Sequence, residues 1–514
     1  MNQNEDMKLW NNDIEKLDYL DMLFRRLKYR NNRLLEISNR EQLLTEATIE
    51  DAFEFYISSF GLSFVKNIFL LQEDSIGQYM NMRCIIEGIA VYQYAKRDDS
   101  KRTQELLRAQ SYIIERNMYR KYPDLDGKLI NMQSISNNYE EAKKFFQDLS
   151  SEFKEKKLLN NRILFLRENS SYEKIVEEIL GKPLAYIYKD LSLKIHPNSY
   201  INQNADKSDE ILVFIVLSLL TNLFQKYPKY QEQGIYYEYD KSIGKNDFGS
   251  MLRRAVANQF DETKSLCRKL NEKQFTYLSL LIYEYSKMLF DFSLDILFGY
   301  SEHGTTKLKN LLELLGIINY INHHQNDHFF SFVDVHTKFM KHNNFEDIVE
   351  EDRVYLYQMY KNVYENGIDY DTFIKRSENT LGFLMDQNGN IPSLRELAFS
   401  VIDEHSSKIN KGVIKNDEIE IRLSTYMKMK FEESQVMSHA SGYMLFSTLG
   451  AWDDGVNIFH IMDDYFISII EKIMTKNENL IKIQYLFRNY LKKYMKNAII
   501  KKKIASIPRV KKTY

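Results

Sequence analysis

Apolar residues return every three to four positions along most of this 514-residue chain, as in DYLDMLFRRLKYRNNRLLEI (18–37), IGQYMNMRCIIEGIAVYQYA (76–95) and FHIMDDYFISIIEKI (459–473). That is the period of amphipathic helices burying one face against their neighbours. Strict alternation is rare; the best run is EIEIRLS (418–424), which a helix fits equally well. Only 18 Gly and 6 Pro interrupt the pattern, less than half of the roughly 12% these two breakers usually occupy. Turn-dense β architectures and Pro-rich disorder are therefore excluded. The spacing predicts an all-α protein of some twenty helices in two stacked multi-helix halves.

Polar, turn-prone breaks fall at 133–139, 197–209, 240–250, 322–328 and 386–393. They divide the chain into an N-terminal helical segment (1–60), a first half (61–227), a linker (228–250) carrying Pro228, Gly234, Gly244 and Gly249, a second half (251–475), and a basic C-terminal helix and tail (476–514). The longest apolar run, ILVFIVLSLLTNLF (211–224), is shorter than the about 20 residues a membrane span needs and reads as a buried helix. The N-terminus, MNQNEDMKLWNNDIEK, has no secretory pattern. Cys84 and Cys267 sit inside apolar helical patterns, which excludes a disulfide framework and a Cys-based zinc module and makes the reducing cytosol the expected compartment. With 70 basic and 72 acidic side chains the net charge is -2, so this is no obligate polyanion binder.

The halves are weakly alike. Tyr188 and Phe431 each stand eight residues before a histidine, His196 and His439, and a tyrosine follows each histidine four residues later, Tyr200 and Tyr443. Likewise Arg83 and Glu87 fall opposite Asp291 and Asp295, the second member of each pair five residues ahead of a Tyr. The order suggests an internal duplication; chance likeness between two Tyr-rich helical halves is the alternative.

The sharpest local feature is YKDLSLKIHP (188–197). Lys189 and His196 are seven apart, two helical turns, and would share nearly one face. Metal-free RNA cleavage needs those two roles, a base for the ribose 2′-hydroxyl and a cation for charge developing on phosphorus. Pro197 is expected to end the helix at His196, near the helix C-terminus. A terminal His bonded to its own helix carbonyls is the plainer alternative. For Arg83 and Glu87 that alternative is an ordinary helical pair at four-residue spacing.

MRCIIEG followed by YKDLSLKIHP resembles a bacterial domain-of-unknown-function family of helical proteins, with an Arg-x-x-x-Glu helix and then a Tyr-Arg-x-Leu-Ser-x-x-x-His-Pro motif. That family is similar in turn to the HEPN superfamily (higher eukaryotes and prokaryotes nucleotide-binding), whose active members carry Arg and His at a dimer interface and commonly act as RNases in toxin–antitoxin and phage-defence systems. The resemblance covers roughly 60–225, with 275–475 as a diverged copy. It implies a HEPN-like fold, RNA as partner, no cofactor, and either a homo-oligomer or an internal pseudo-dimer. It nominates His196 as acid or base, Lys189 in the usual Arg position, Asp190 beside it, and Arg83, Glu87 and His439 as binding residues. Two departures stand out. Lys lacks the bidentate phosphate grip of Arg, and the position matching Lys189 in the second half is Glu432, which repels phosphate. A catalytically inactive scaffold or sensor, acting through protein or nucleic-acid binding, is the competing expectation.

Two further segments carry candidate chemistry. Six of the ten histidines lie between 303 and 342, and His324 and His328, with Asp327 alongside, have helical metal-ligand spacing. The preferred reading there is a His-rich interhelical loop. In the tail no acid follows residue 478 while basic residues accumulate, including Lys501, Lys502 and Lys503. A basic amphipathic helix there would touch RNA, an anionic membrane face or an acidic protein; a solvated extension is the alternative.

Overall fold

In a computed structural model of the chain, the residues described are 13–37, 49–70, 76–97, 100–148, 171–196, 207–229, 234–235, 267–268, 276–297, 306–323, 327–342, 348–409, 412–416, 419–440, 444 and 455–474. The fold is all-α. The elements among the described residues are sixteen α-helices, two single-turn 3-10 helices (Pro123–Leu125 and Gly382–Leu384) and one two-stranded antiparallel sheet. Ahead of the linker, in the N-terminal segment and the first half, the α-helices are α1 (Asp13–Ile37), α2 (Ile49–Leu70), α3 (Ile76–Arg97), α4 (Ser100–Tyr119), α5 (Met132–Asp148), α6 (Tyr172–Leu180), α7 (Lys182–Lys194) and α8 (Lys207–Phe224). The second half contributes α9 (Thr276–Leu297), α10 (Leu308–His323), α11 (Asp327–His342), α12 (Glu350–Val363), α13 (Tyr370–Ser377), α14 (Leu394–Ser406), α15 (Leu423–Met437) and α16 (Gly455–Met474). None of the described helices is long and apolar enough to cross a membrane.

Each half is built around one helix that is buried almost all round, because its sequence offers few charges to solvent. In the first half this is α3, packed by α2, α4, α6, α7 and α8; in the second it is α10, packed by α9, α14, α15 and α16. The halves meet where α3 packs on α9 and α4 on α15, and one contiguous hydrophobic core runs from Leu20 to Ile470. Gly316 lets α10 and α14 approach backbone to backbone, since a Cβ there would lie 2.7 Å from the Leu397 carbonyl carbon.

One local departure from the sequence expectation has a clear cause, and one stretch open to either strand or helix holds both. The polar stretch 133–139 lies inside α5: the Asn131 side chain accepts the Ser134 N–H, and Ile135, Tyr139 and Ala142 bury one stripe against α4. In EIEIRLS, the period-two part forms strand β2 (Ile419–Arg422), antiparallel to β1 (Val413–Asn416), and α15 starts at Leu423. The 240–250 break, Pro197, Tyr200, Tyr443 and the tail, with Lys501, Lys502 and Lys503, lie outside the described residues, as does His324.

Asp291 and Asp295 on α9 close a wholly buried ion quartet. Lys307 reaches Asp291 at 2.5 Å and Asp295 at 2.6 Å, while Lys66 of α2 bonds Asp295 and stands 3.4 Å from Asp291. Burial opposes every one of these charges, and two cations facing two carboxylates offset it. Asp295 is accordingly held below the usual carboxylate range by Lys307 and Lys66 against burial, and Lys307 is raised by the two aspartates.

Candidate active site

Five elements bring polar side chains together where the halves meet: α3, α6, α7, α10 and the loop after α15. Arg83 and Glu87 lie one turn apart on α3. Glu87 is fully buried: its Oε2 accepts the Tyr188 hydroxyl at 2.7 Å, and its Oε1 accepts the Ala440 backbone N–H at 2.7 Å. Arg83 Nη2 donates to Tyr188 at 3.2 Å, with the guanidinium 5.3 Å from the Tyr188 ring centroid and 3.7 Å from Glu87. Arg83 Nε is buried with no hydrogen-bond partner.

The loop after α15 delivers His439 to this pair, its chain anchored by Cys84 Sγ donating to the Ser438 carbonyl at 3.3 Å. His439 Nδ1 stands 3.2 Å from Arg83 Nη2 and 3.3 Å from Glu87 Oε2. A guanidinium only donates and a carboxylate only accepts. Nδ1 therefore serves one partner at a time, as a lone pair toward Arg83 or as an N–H toward Glu87. In the second form the Nε2 lone pair is left for a substrate. Tyr172 of α6 stacks on the imidazole, ring centroids 5.0 Å apart at 11°.

His196 approaches from the end of α7. Its chain is tied down by Asn310 of α10, whose amide donates to the Ile195 carbonyl at 2.7 Å, and its Nδ1 lies 3.4 Å from Glu313 Oε2. Lys309, one turn before Glu313, stands 3.6 Å from that carboxylate. Each imidazole thus has its own glutamate, and both feel the charges of Arg83 and Lys309.

The electrostatics follow from burial and these neighbours. Burial, aided by Arg83 and Lys309, pulls the His439 imidazole below its ordinary range although Glu87 works the other way. His196 is lowered by burial and by Lys309 and Arg83, against Glu313. For Glu87 burial opposes the charge, but His439, Arg83 and Tyr188 hold the carboxyl below the usual range. Burial pushes the Cys84 thiol up to about 12, so it is no nucleophile here. The side chains of His439 and His196 are 25% and 35% exposed, against 8% for Arg83 and none for Glu87. The imidazoles are therefore the wettable edge of an otherwise sealed network. Two neutral imidazoles beside two cations can accept a proton and hold an anion.

Placement of the sequence candidates is uneven. Arg83, Glu87 and His439 meet directly, and His196 pairs with Glu313 of α10, a helix whose start is also tied to α15 by the Lys309 N–H donating to Ser434 Oγ at 2.9 Å. Lys189 and Asp190 lie on the exposed side of α7, Asp190 paired with Lys194 at 3.3 Å. Tyr188, beside Lys189, is the α7 side chain that enters the cluster. It belongs to the buried stripe with Ala185 and Leu191, whereas Lys189 is turned about 100° away. α7 ends at Lys194 with Ile195 still helical and bonded to the Leu191 carbonyl; His196 turns its ring to Glu313 while Lys189 stays exposed. Tyr172, Lys309 and Glu313 were not singled out; Glu313 is the lone acid of LKNLLELLGIINYI, which was the available signal.

The second-half positions that the sequence spacing aligns with Tyr188 and Lys189 are occupied differently. Phe431 lacks the Tyr188 hydroxyl and packs edge-on against Phe399. Glu432 accepts from Lys121 at 2.8 Å and from Arg395 at 2.5 Å, and these cations hold it below the usual carboxylate range against burial. In the His-rich segment, His328 is exposed, His336 is buried under Ser377, and His323 stands 3.7 Å from Glu404; the Asp327 side chain is outside the described residues. Among the described residues no three His, Cys, Asp or Glu side chains gather as a metal site. The chain matches no family model, no curated protein and no solved structure.

Proposed function

We propose that this chain is a HEPN-like bacterial effector that cleaves RNA without a metal, in the cytosol, during phage defence or a stress response. The observation that carries this reading is the convergence of Arg83, Glu87 and Tyr188 on the part-exposed His439, with a second part-exposed imidazole, His196, held on Glu313 of the adjoining helix α10. One imidazole takes the proton of a ribose 2′-hydroxyl as its oxygen attacks phosphorus. The P–O5′ bond breaks, and the other imidazole, in its protonated form, gives a proton to the leaving oxygen. The products are a 2′,3′-cyclic phosphate and a 5′-hydroxyl. Arg83 supplies the cation that stabilises charge on the phosphoryl oxygens, and Glu87 orients His439. An internal duplication accounts for a histidine arriving from each half. Incubating the full chain with cellular RNA in EDTA tests the reading: cleavage that His439→Asn and His196→Asn each abolish supports it, and no cleavage ends it.

A second reading is a non-catalytic scaffold. It is favoured by Glu432, whose charge is consumed by Lys121 and Arg395, so one of the two related positions has become a structural tie. On that reading both histidine variants retain biological activity.

A further inference from the structure

The nuclease reading needs one protonated imidazole, yet the resting site favours neither. His439 faces Glu87 and Arg83 from α3 and Tyr172 from α6, with the Tyr188 hydroxyl of α7 bonded to both members of that pair, and His196 faces Glu313 of α10, which Lys309 also meets. The start of α10 ties the two histidine-bearing segments together, the Lys309 N–H donating to Ser434 Oγ of α15 at 2.9 Å and the Asn310 amide to the Ile195 carbonyl at 2.7 Å, and the charges of Lys309 and Arg83 act on both imidazoles. Both glutamates are nearly or wholly buried and already matched by cations, Glu87 by Arg83 and Glu313 by Lys309. Among the described residues, the carboxylate facing each imidazole thus already has a cation of its own. Arg83 meanwhile keeps a buried Nε with no partner.

We propose that a phosphodiester binds across Lys309, Arg83 and the two imidazoles and carries a proton onto one of them, so that the site arms its general acid only when occupied. The inference rests on the nuclease reading and adds two residues to it. Lys309 contacts the phosphate, and Glu313 is a positioning residue that fixes the ring of His196. The physical cause is charge. A phosphate anion beside an imidazole favours its cationic form, and linkage then requires that binding take up a proton and that acid strengthen binding. A free site with neutral imidazoles holds two cations and two carboxylates in balance, which the anion plus one proton preserves.

Calorimetric titration of the full chain with 2′-O-methyl tetrauridylate, near neutral pH in two buffers of different ionisation enthalpy, reads the proton directly. This probe cannot be cleaved, and its diesters do not titrate. The expected result is binding with uptake of a substantial fraction of a proton. Lys309→Met weakens binding by roughly tenfold or more, Glu313→Gln alters the pH at which uptake is half-maximal, and the double variant His196→Asn/His439→Asn loses uptake; thermal melts check that each variant is folded. Binding without uptake, uptake that survives in the double variant, or no binding overturns the inference. Uptake with no cleavage of unmodified RNA speaks against the nuclease reading alone. Metal-free cleavage that depends on His439, without uptake, speaks against this inference alone.

Discussion

Glu87 and Ala440 stand 353 positions apart, yet the carboxylate of the first accepts the backbone N–H of the second at 2.7 Å. With the other oxygen bonded to Tyr188, the same side chain joins the central helix of the first half to the loop that carries His439. Glu87 is thus both a fastener between the halves and the group that orients the imidazole.

Replacing it separates these roles from a surface effect. Glu87→Gln leaves the buried Arg83 charge without its carboxylate, and removal of one partner from a buried pair costs about 3–5 kcal/mol. Urea unfolding should show a loss of that order. A loss below about 1 kcal/mol would match an exposed pair instead.

Tyr188 and Lys189 are adjacent in sequence and opposite in environment. Tyr188→Phe removes one donor from Glu87 and one acceptor from Arg83, and should cut RNA cleavage more than Lys189→Ala or Asp190→Ala. Single-turnover rates decide this. The reverse ranking would restore the Lys189–His196 stripe as the site.

The helical period made the all-α fold legible from the chain, since long apolar stripes at three- and four-residue spacing leave few alternatives. Arg83, Glu87 and His439 were also within reach, through the order of the two halves. The phase of α7 was not, because it depends on which stripe packs against α3 and α6: Ala185, Tyr188 and Leu191 face the core, and Lys189 stays exposed. Lys309 and Glu313 were hidden for a different reason. Their i, i+4 spacing fits any ordinary helical pair, and only tertiary packing puts His196 against them.

The quartet of Lys66, Lys307, Asp291 and Asp295 offers a clean test of buried charge. Lys66→Met strands a net negative charge in the core and should destabilise by about 3–5 kcal/mol. Lys66→Met/Asp295→Leu removes one charge of each sign and should recover most of that loss. Chemical denaturation measures both; equal losses in the two variants would mean that packing rather than charge dominates.

Acid should unfold the protein partly through His336. It is fully buried, its Nε2 donates to the Ser377 carbonyl at 3.2 Å, and burial pulls the imidazole down to about 4. An unfolded histidine protonates near its ordinary value of about 6.5. The depressed folded value means that this contribution is full above about pH 6.5 and is lost as pH falls toward about 4, a change of about 3 kcal/mol. Melting temperature against pH should therefore slope less steeply over that window in His336→Leu. An unchanged slope would place the acid sensitivity elsewhere.

The most direct measurement of the central claim is cleavage of a single-stranded RNA, beside its all-deoxy counterpart, by the full chain in EDTA, with the product ends mapped. The site described here predicts 2′,3′-cyclic phosphate ends from the RNA, no cut in the DNA, and no products from His439→Asn. Equal cutting of the DNA, or RNA products undiminished in His439→Asn, would contradict it.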